Sequence, residues 1–85
     1  RIAAVDHPGM GRTMEVLTTQ PGVQLYTSNY IDEIPGKGGD VYRKHSALCL
    51  ETQHYPNTPN EDSFPTTLLQ PGEVFEQATI YRFSW

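Results

Sequence analysis

Eighty-five residues allow one small domain, and a chain of that length buries only about 60–65% of its unfolded surface, which leaves a thin core. The net charge of −4 comes from scattered carboxylates, and the six Lys and Arg residues form no patch, so neither nucleic acid nor an anionic membrane is an expected partner. One cysteine cannot close an internal disulfide, and the chain shows no zinc-type Cys/His spacing, no Asn-x-Ser/Thr sequon and no apolar run near the ~20 residues of a membrane span. A soluble protein of a reducing, cytoplasmic compartment is the expectation.

Strand signals begin at once. Arg1 is not an initiator Met, and Ile2-Ala3-Ala4-Val5 is already apolar and strand-like, so the chain reads as a C-terminal segment of something longer. Thr13 to Thr19 and Val23 to Asn29 are rich in β-branched and aromatic residues. Gln20-Pro21-Gly22 between them suits a turn with Gly22 at positive φ, which makes the two segments either paired strands or one strand broken by a kink. Ile31 to Tyr42 carries three glycines and a proline and reads as a loop. A strand around Leu48 to Thr52 follows, then a proline- and asparagine-rich loop from His54 to Pro65, a short extended piece from Thr66 to Leu69, and a second turn at Gln70-Pro71-Gly72-Glu73. Val74 to Phe83 alternates well enough for a final strand. Only Gly72 to Ala78 has a plausible helix composition, and its Pro-Gly start and β-rich sequel oppose it. The fold class is all-β. The two QPG triplets have unlike flanks, so they share turn chemistry rather than mark a repeat.

One residue stands out in the Leu48–Thr52 strand. Side chains alternate, so Ala47, Cys49, Glu51 and Gln53 share one face while Leu48, Leu50 and Thr52 share the other. The leucine face is the natural core face. Glu51 then lies on a small, polar face, as either a solvated surface or a ligand cleft would have. His7, His45 and His54 have no partner at recognisable spacing and read as surface or loop histidines. Cys49 reads as a packed thiol. Gln24, just after the Pro-Gly turn, carries an amide that could bind sugar hydroxyls or cap backbone groups.

Two long stretches, GRTMEVLTTQPGVQLYTSNYI (11–31) and GKGGDVYRKHSALCLETQHYPNTPNEDSFPTTLLQPGEVFEQATIYRFS (36–84), resemble the C-terminal part of the aldose 1-epimerase, or galactose mutarotase, family. The resemblance rests on several motifs in the family's order: the TTQPGVQ block, the Gly/Lys loop, the LETQ block with its PN and FP, and the LQPGE turn before a final aromatic strand. It implies that residues 1–85 are the C-terminal segment of a large antiparallel β-sandwich of the galactose mutarotase type, the upstream part being absent. It places the family's general base on Glu51 and a substrate-binding Gln on Gln24. The family's acid histidine and its other sugar-binding His, Arg and Asp are implied to lie upstream, so none of the three histidines here inherits that role, and the segment by itself is expected to be inactive.

The implied chemistry is ring opening of a hexose such as galactose or glucose. A base takes the anomeric proton, an acid protonates the ring oxygen, and the aldehyde turns before the ring closes on its other face. Two positioned groups suffice, so the resemblance implies neither metal nor other cofactor; the expected partners are the sugar and the upstream portion of the same protein. Two relatives of the same fold are alternatives: a sugar-phosphate epimerase, which needs basic residues beyond Arg43-Lys44, and a non-catalytic carbohydrate-binding protein.

Overall fold

The computed structural model describes residues 1–85 and contains seven strands: β1 (Ala3–His7), β2 (Arg12–Thr18), β3 (Gly22–Tyr26), β4 (Ile34–Pro35), β5 (Val41–Tyr42), β6 (Cys49–Gln53) and β7 (Thr79–Ser84). Single 3-10 turns at Lys37–Gly39 and Thr58–Asn60 are the only helical pieces, in keeping with the all-β expectation. The strands form three antiparallel sheets, ordered β1-β2-β7, β3-β6 and β4-β5.

Central β2 organises the first sheet. A tight turn after His7, with Met10 N–H donating to the His7 carbonyl at 3.0 Å and Gly11 at φ +66°, returns the chain so that Ala3 lies opposite Val16 and His7 opposite Arg12. On its other side β2 takes β7, which sets Tyr81 opposite Val16 and Thr79 opposite Thr18. Alternation puts Val16 on the inner face, with Ala3 and Tyr81 beside it, and it is the one side chain with no exposed surface. Glu15 takes the outer face, where Arg1 reaches one carboxylate oxygen at 2.9 Å and Arg82 the other at 3.3 Å. The Arg1 hydrogen bond holds the Glu15 carboxyl below its usual range, with Arg82 acting in the same direction and partial burial opposing both.

The inner face of this sheet meets the β3-β6 layer through polar cross-links. Thr79 Oγ1 lies 3.0 Å from Thr18 Oγ1 and 2.8 Å from Thr52 Oγ1, and the Tyr81 hydroxyl donates to the Leu50 carbonyl at 2.9 Å. Leu50 and Thr52 are half-buried there, as the leucine-face expectation requires; Leu48, just ahead of β6, stays exposed. The two layers do not close a core. The radius of gyration is 16.8 Å, against about 12 Å for a compact domain of this length. Leu25, Leu68, Val74, Phe75 and Phe83 are among the large apolar side chains left open to solvent.

Several elements differ from the sequence expectation. Thr13–Thr19 and Val23–Asn29 are neither a hairpin nor one bent strand: β2 and β3 join different sheets, and the bend at Thr19–Pro21 carries the chain from one layer to the other. Gly22 is not at positive φ. It is a glycine for want of space, because a Cβ there would sit 3.0 Å from Cδ1 of Tyr55. Gly72 of the second triplet does take φ +88°, in a turn closed by Glu73 N–H donating to the Gln70 carbonyl at 3.0 Å. The last strand starts at Thr79 rather than Val74. Its partner β2 ends at Thr18, so residues 74–77 have no ladder to join, and Ala78 is held by Thr19 through bonds of 3.1 and 3.0 Å and by the Thr18 hydroxyl, which donates to its carbonyl at 3.0 Å. Within the expected 31–42 loop, β4 and β5 make a minimal hairpin, where any side chain at Gly36 would run into the Tyr42 ring.

Candidate functional site

Antiparallel register brings the two candidate residues together. Gln24 at the centre of β3 lies directly opposite Glu51 at the centre of β6, flanked by the pairs Gly22–Gln53 and Tyr26–Cys49. Directly opposite residues carry their Cβ atoms about 5 Å apart on the same face. Thr52 turns its hydroxyl inward to Thr79, so alternation sends its neighbour Glu51 outward. Both Glu51 and Gln24 are exposed on that outward face.

The pair is polar and open. Gln24 Nε2 donates to the Leu25 carbonyl at 3.3 Å, which leaves the amide oxygen free to accept. The three ion pairs of the chain, Arg1–Glu15, Arg82–Glu15 and Arg43–Glu33, leave Glu51 out. A carboxylate that only accepts, beside an amide that both donates and accepts, can hold neighbouring hydroxyls of one polyol and take a proton from one of them.

The ends of this face differ. Beyond the Tyr26–Cys49 pair it opens into a hollow of about 320 Å³ that those two residues line with Ser28, Ile31, Tyr42 and Ala47. Tyr26 is engaged: its hydroxyl accepts from Tyr30 N–H at 3.2 Å, and the two rings stack with centroids 6.4 Å apart. At the opposite end the Tyr55 ring lies over Gly22, where that residue's side chain would otherwise stand. Period-two reading from Gln24 reaches Tyr26, whereas Tyr55 sits on a loop where no periodicity applies. No sequence signal marks Tyr55 for this place, because its contact with Gly22 joins residues far apart in the chain.

The remaining candidates stand apart from that pair, although His7 and His45 line one hollow with Thr27, Ser46, Ala47 and Leu48. His45, at φ +61°, donates from Nδ1 to the Thr27 carbonyl at 2.7 Å. Together with buried Ser28, whose Oγ donates to the Ala47 carbonyl at 2.9 Å, it ties the end of β3 to the approach of β6. His7 closes β1. His54 follows β6 and lines a separate hollow with Thr19, Gln20 and Pro21. None of the three histidines lies on β3 or β6. Cys49 is exposed beside Tyr26 rather than packed, because the face it shares with Glu51 has no layer above it.

A profile of the family described as aldose 1-epimerase matches residues 1–82. The chain is 53% identical over 83 residues to galactose mutarotase of Mus musculus and 52% identical to that of Homo sapiens, in each case across 96% of this chain and 24% of the relative. It is 33% identical over 72 residues to aldose 1-epimerase of Escherichia coli (strain K12), across 82% of this chain and 21% of the relative. The chain thus spans about a quarter of the length of the curated relatives it matches. With the match running almost end to end over an all-β structure, the chain belongs to the aldose 1-epimerase family.

Proposed function

We propose that the protein acts as a mutarotase, interconverting the α and β anomers of hexoses such as galactose and glucose, with Glu51 as general base and Gln24 as a sugar-binding amide. The observation that carries this reading is the Gln24–Glu51 cross-strand pair on an open polar face. The ionised Glu51 carboxylate accepts the proton of the anomeric hydroxyl. As that oxygen becomes the aldehyde oxygen, the bond from the anomeric carbon to the ring oxygen breaks, and an acid supplied by another part of the polypeptide protonates the ring oxygen. After rotation about the adjacent carbon–carbon bond, the same two groups return the protons in the opposite sense, and the other anomer forms. Gln24 holds neighbouring hydroxyls so that the anomeric one stays within reach of Glu51.

The sugar-phosphate alternative has less support. Arg43, half of the chain's one basic pair, lies 3.8 Å from the Glu33 carboxylate, in a segment outside β3 and β6. Polarimetry tests the proposal: the intact polypeptide should speed the approach of pure α-galactose and α-glucose to anomeric equilibrium, with no comparable preference for galactose 6-phosphate. A rate equal to that of buffer would overturn it.

A further inference from the structure

The loop after β6 has more internal structure than a surface connection needs. Thr58, buried, bonds the Tyr55 carbonyl through both its hydroxyl and its N–H; Asn60 N–H donates to the Asn57 carbonyl at 3.0 Å and its side-chain amide to Asn57 Oδ1 at 2.7 Å. Glu61 N–H returns to the Thr58 carbonyl at 3.0 Å, and Asn57 holds φ +64°. Phe64 then meets the Tyr55 ring edge-on at 5.1 Å between centroids. The hydrogen bonds order the loop that carries Tyr55, and the Phe64 contact meets its ring.

That ring occupies a definite place. Gly22, Gln24 and Tyr26 point to one side of β3, and the position a Gly22 Cβ would take lies 3.0 and 3.1 Å from Cδ1 and Cε1 of Tyr55. The ring therefore stands on the Glu51 face, one side-chain repeat, about 7 Å along the strand, from Gln24. Gly22 is buried beneath it, yet Tyr55 keeps 39% of its surface exposed and its hydroxyl bonds to nothing in the chain. Tyr26, the other aromatic of this face, has its hydroxyl and ring already committed to Tyr30. We propose that the Tyr55 ring is the apolar wall of the sugar face, stacking on the C–H side of the pyranose whose hydroxyls Gln24 and Glu51 hold. The inference rests on reading that face as the sugar site. It adds a preference: an axial 4-hydroxyl puts three adjacent C–H bonds on one side of the ring, so a galactose-configured hexose offers a wider apolar patch to the aromatic face than glucose does.

The test is equilibrium binding of galactose and of glucose to the intact polypeptide, followed by NMR titration. Tyr55→Leu, apolar but not flat, should weaken galactose binding roughly threefold to tenfold and glucose binding by less, and Tyr55→Phe should recover the loss because it keeps the ring. Where a thermal melt shows that Tyr55→Leu does not fold, Gly22→Ala replaces it, since the added methyl displaces the ring. Galactose affinity within about twofold of the parent in either variant, or equal losses for the two sugars, overturns the proposal. Undiminished turnover in Glu51→Gln counts against the base alone and leaves the binding comparison standing, so the two failures are separable.

Discussion

The β1-β2-β7 sheet and the β3-β6 sheet are built from strands of similar length, yet they use their faces in opposite ways. The first hides Val16 between two neighbours and neutralises its outer carboxylate with two arginines. The second keeps its outward face polar and gives its central carboxylate no cation at all. A glutamate opposite an arginine contributes to structure; a glutamate opposite a glutamine is left available for a ligand. The neighbours across the ladder, more than the residue itself, separate Glu15 from Glu51.

The contrast can be broken most directly at Glu51. Glu51→Gln in the intact polypeptide should lower kcat by about 10²–10⁴-fold while leaving the melting temperature and sugar binding nearly as they were; more than a tenth of the parent rate would place the base elsewhere. Gln24→Ala should cost roughly 1–3 kcal/mol in kcat/KM, with galactose or with glucose, by leaving sugar hydroxyls unpaired in the complex. Unchanged values for both sugars would remove Gln24 from the site. Val16→Ala tests the other sheet: it should cost about 2 kcal/mol in denaturant-melt stability and leave the kcat of the folded fraction alone. A loss of kcat at full stability would show that the two sheets are not divided in this way.

The smallest effect belongs to Glu15. Its carboxyl is held below the ordinary value of 4.5 in the folded chain, so the folded state keeps the charge to lower pH than the unfolded state does. The resulting stabilisation is full above that value and fades as pH falls below it toward the folded pKa. Glu15→Gln should therefore flatten the acid limb of a plot of melting temperature against pH and leave the neutral region little changed. An identical acid limb in the variant would mean the arginine contacts are not maintained in solution.

Much of this was legible from alternation alone. The parity that separates Leu50 and Thr52 from Glu51 is a property of any strand, and it survived because Thr52 has a partner inside. The motif resemblance supplied Gln24, but only the register shows it directly opposite Glu51. What was not legible depended on contacts distant in sequence. Gly22 and Gly72 stand in identical triplets, yet one is small to admit an aromatic ring and the other to allow a left-handed turn. Residues 74–77 open a stretch, Val74 to Phe83, that reads as one strand, yet they lie outside it, because a strand needs a partner as well as a pattern.

The threonine link between the layers centres on Thr79. Thr18 gives its single hydroxyl proton to the Ala78 carbonyl at 3.0 Å, and Thr79 Oγ1 stands 3.0 Å from Thr18 Oγ1, 2.8 Å from Thr52 Oγ1 and 3.4 Å from Gln77 Oε1, so one hydroxyl joins β7 to both its ladder partner and the facing layer. The link also works as a key. Sliding β7 by one residue would bring Ile80 to the place of Thr79, with no oxygen to meet the Thr52 hydroxyl. The three threonine hydroxyls, with the Tyr81 hydroxyl on the Leu50 carbonyl, thus fix the offset between the layers, and with it the side of the molecule on which Glu51 meets the solvent.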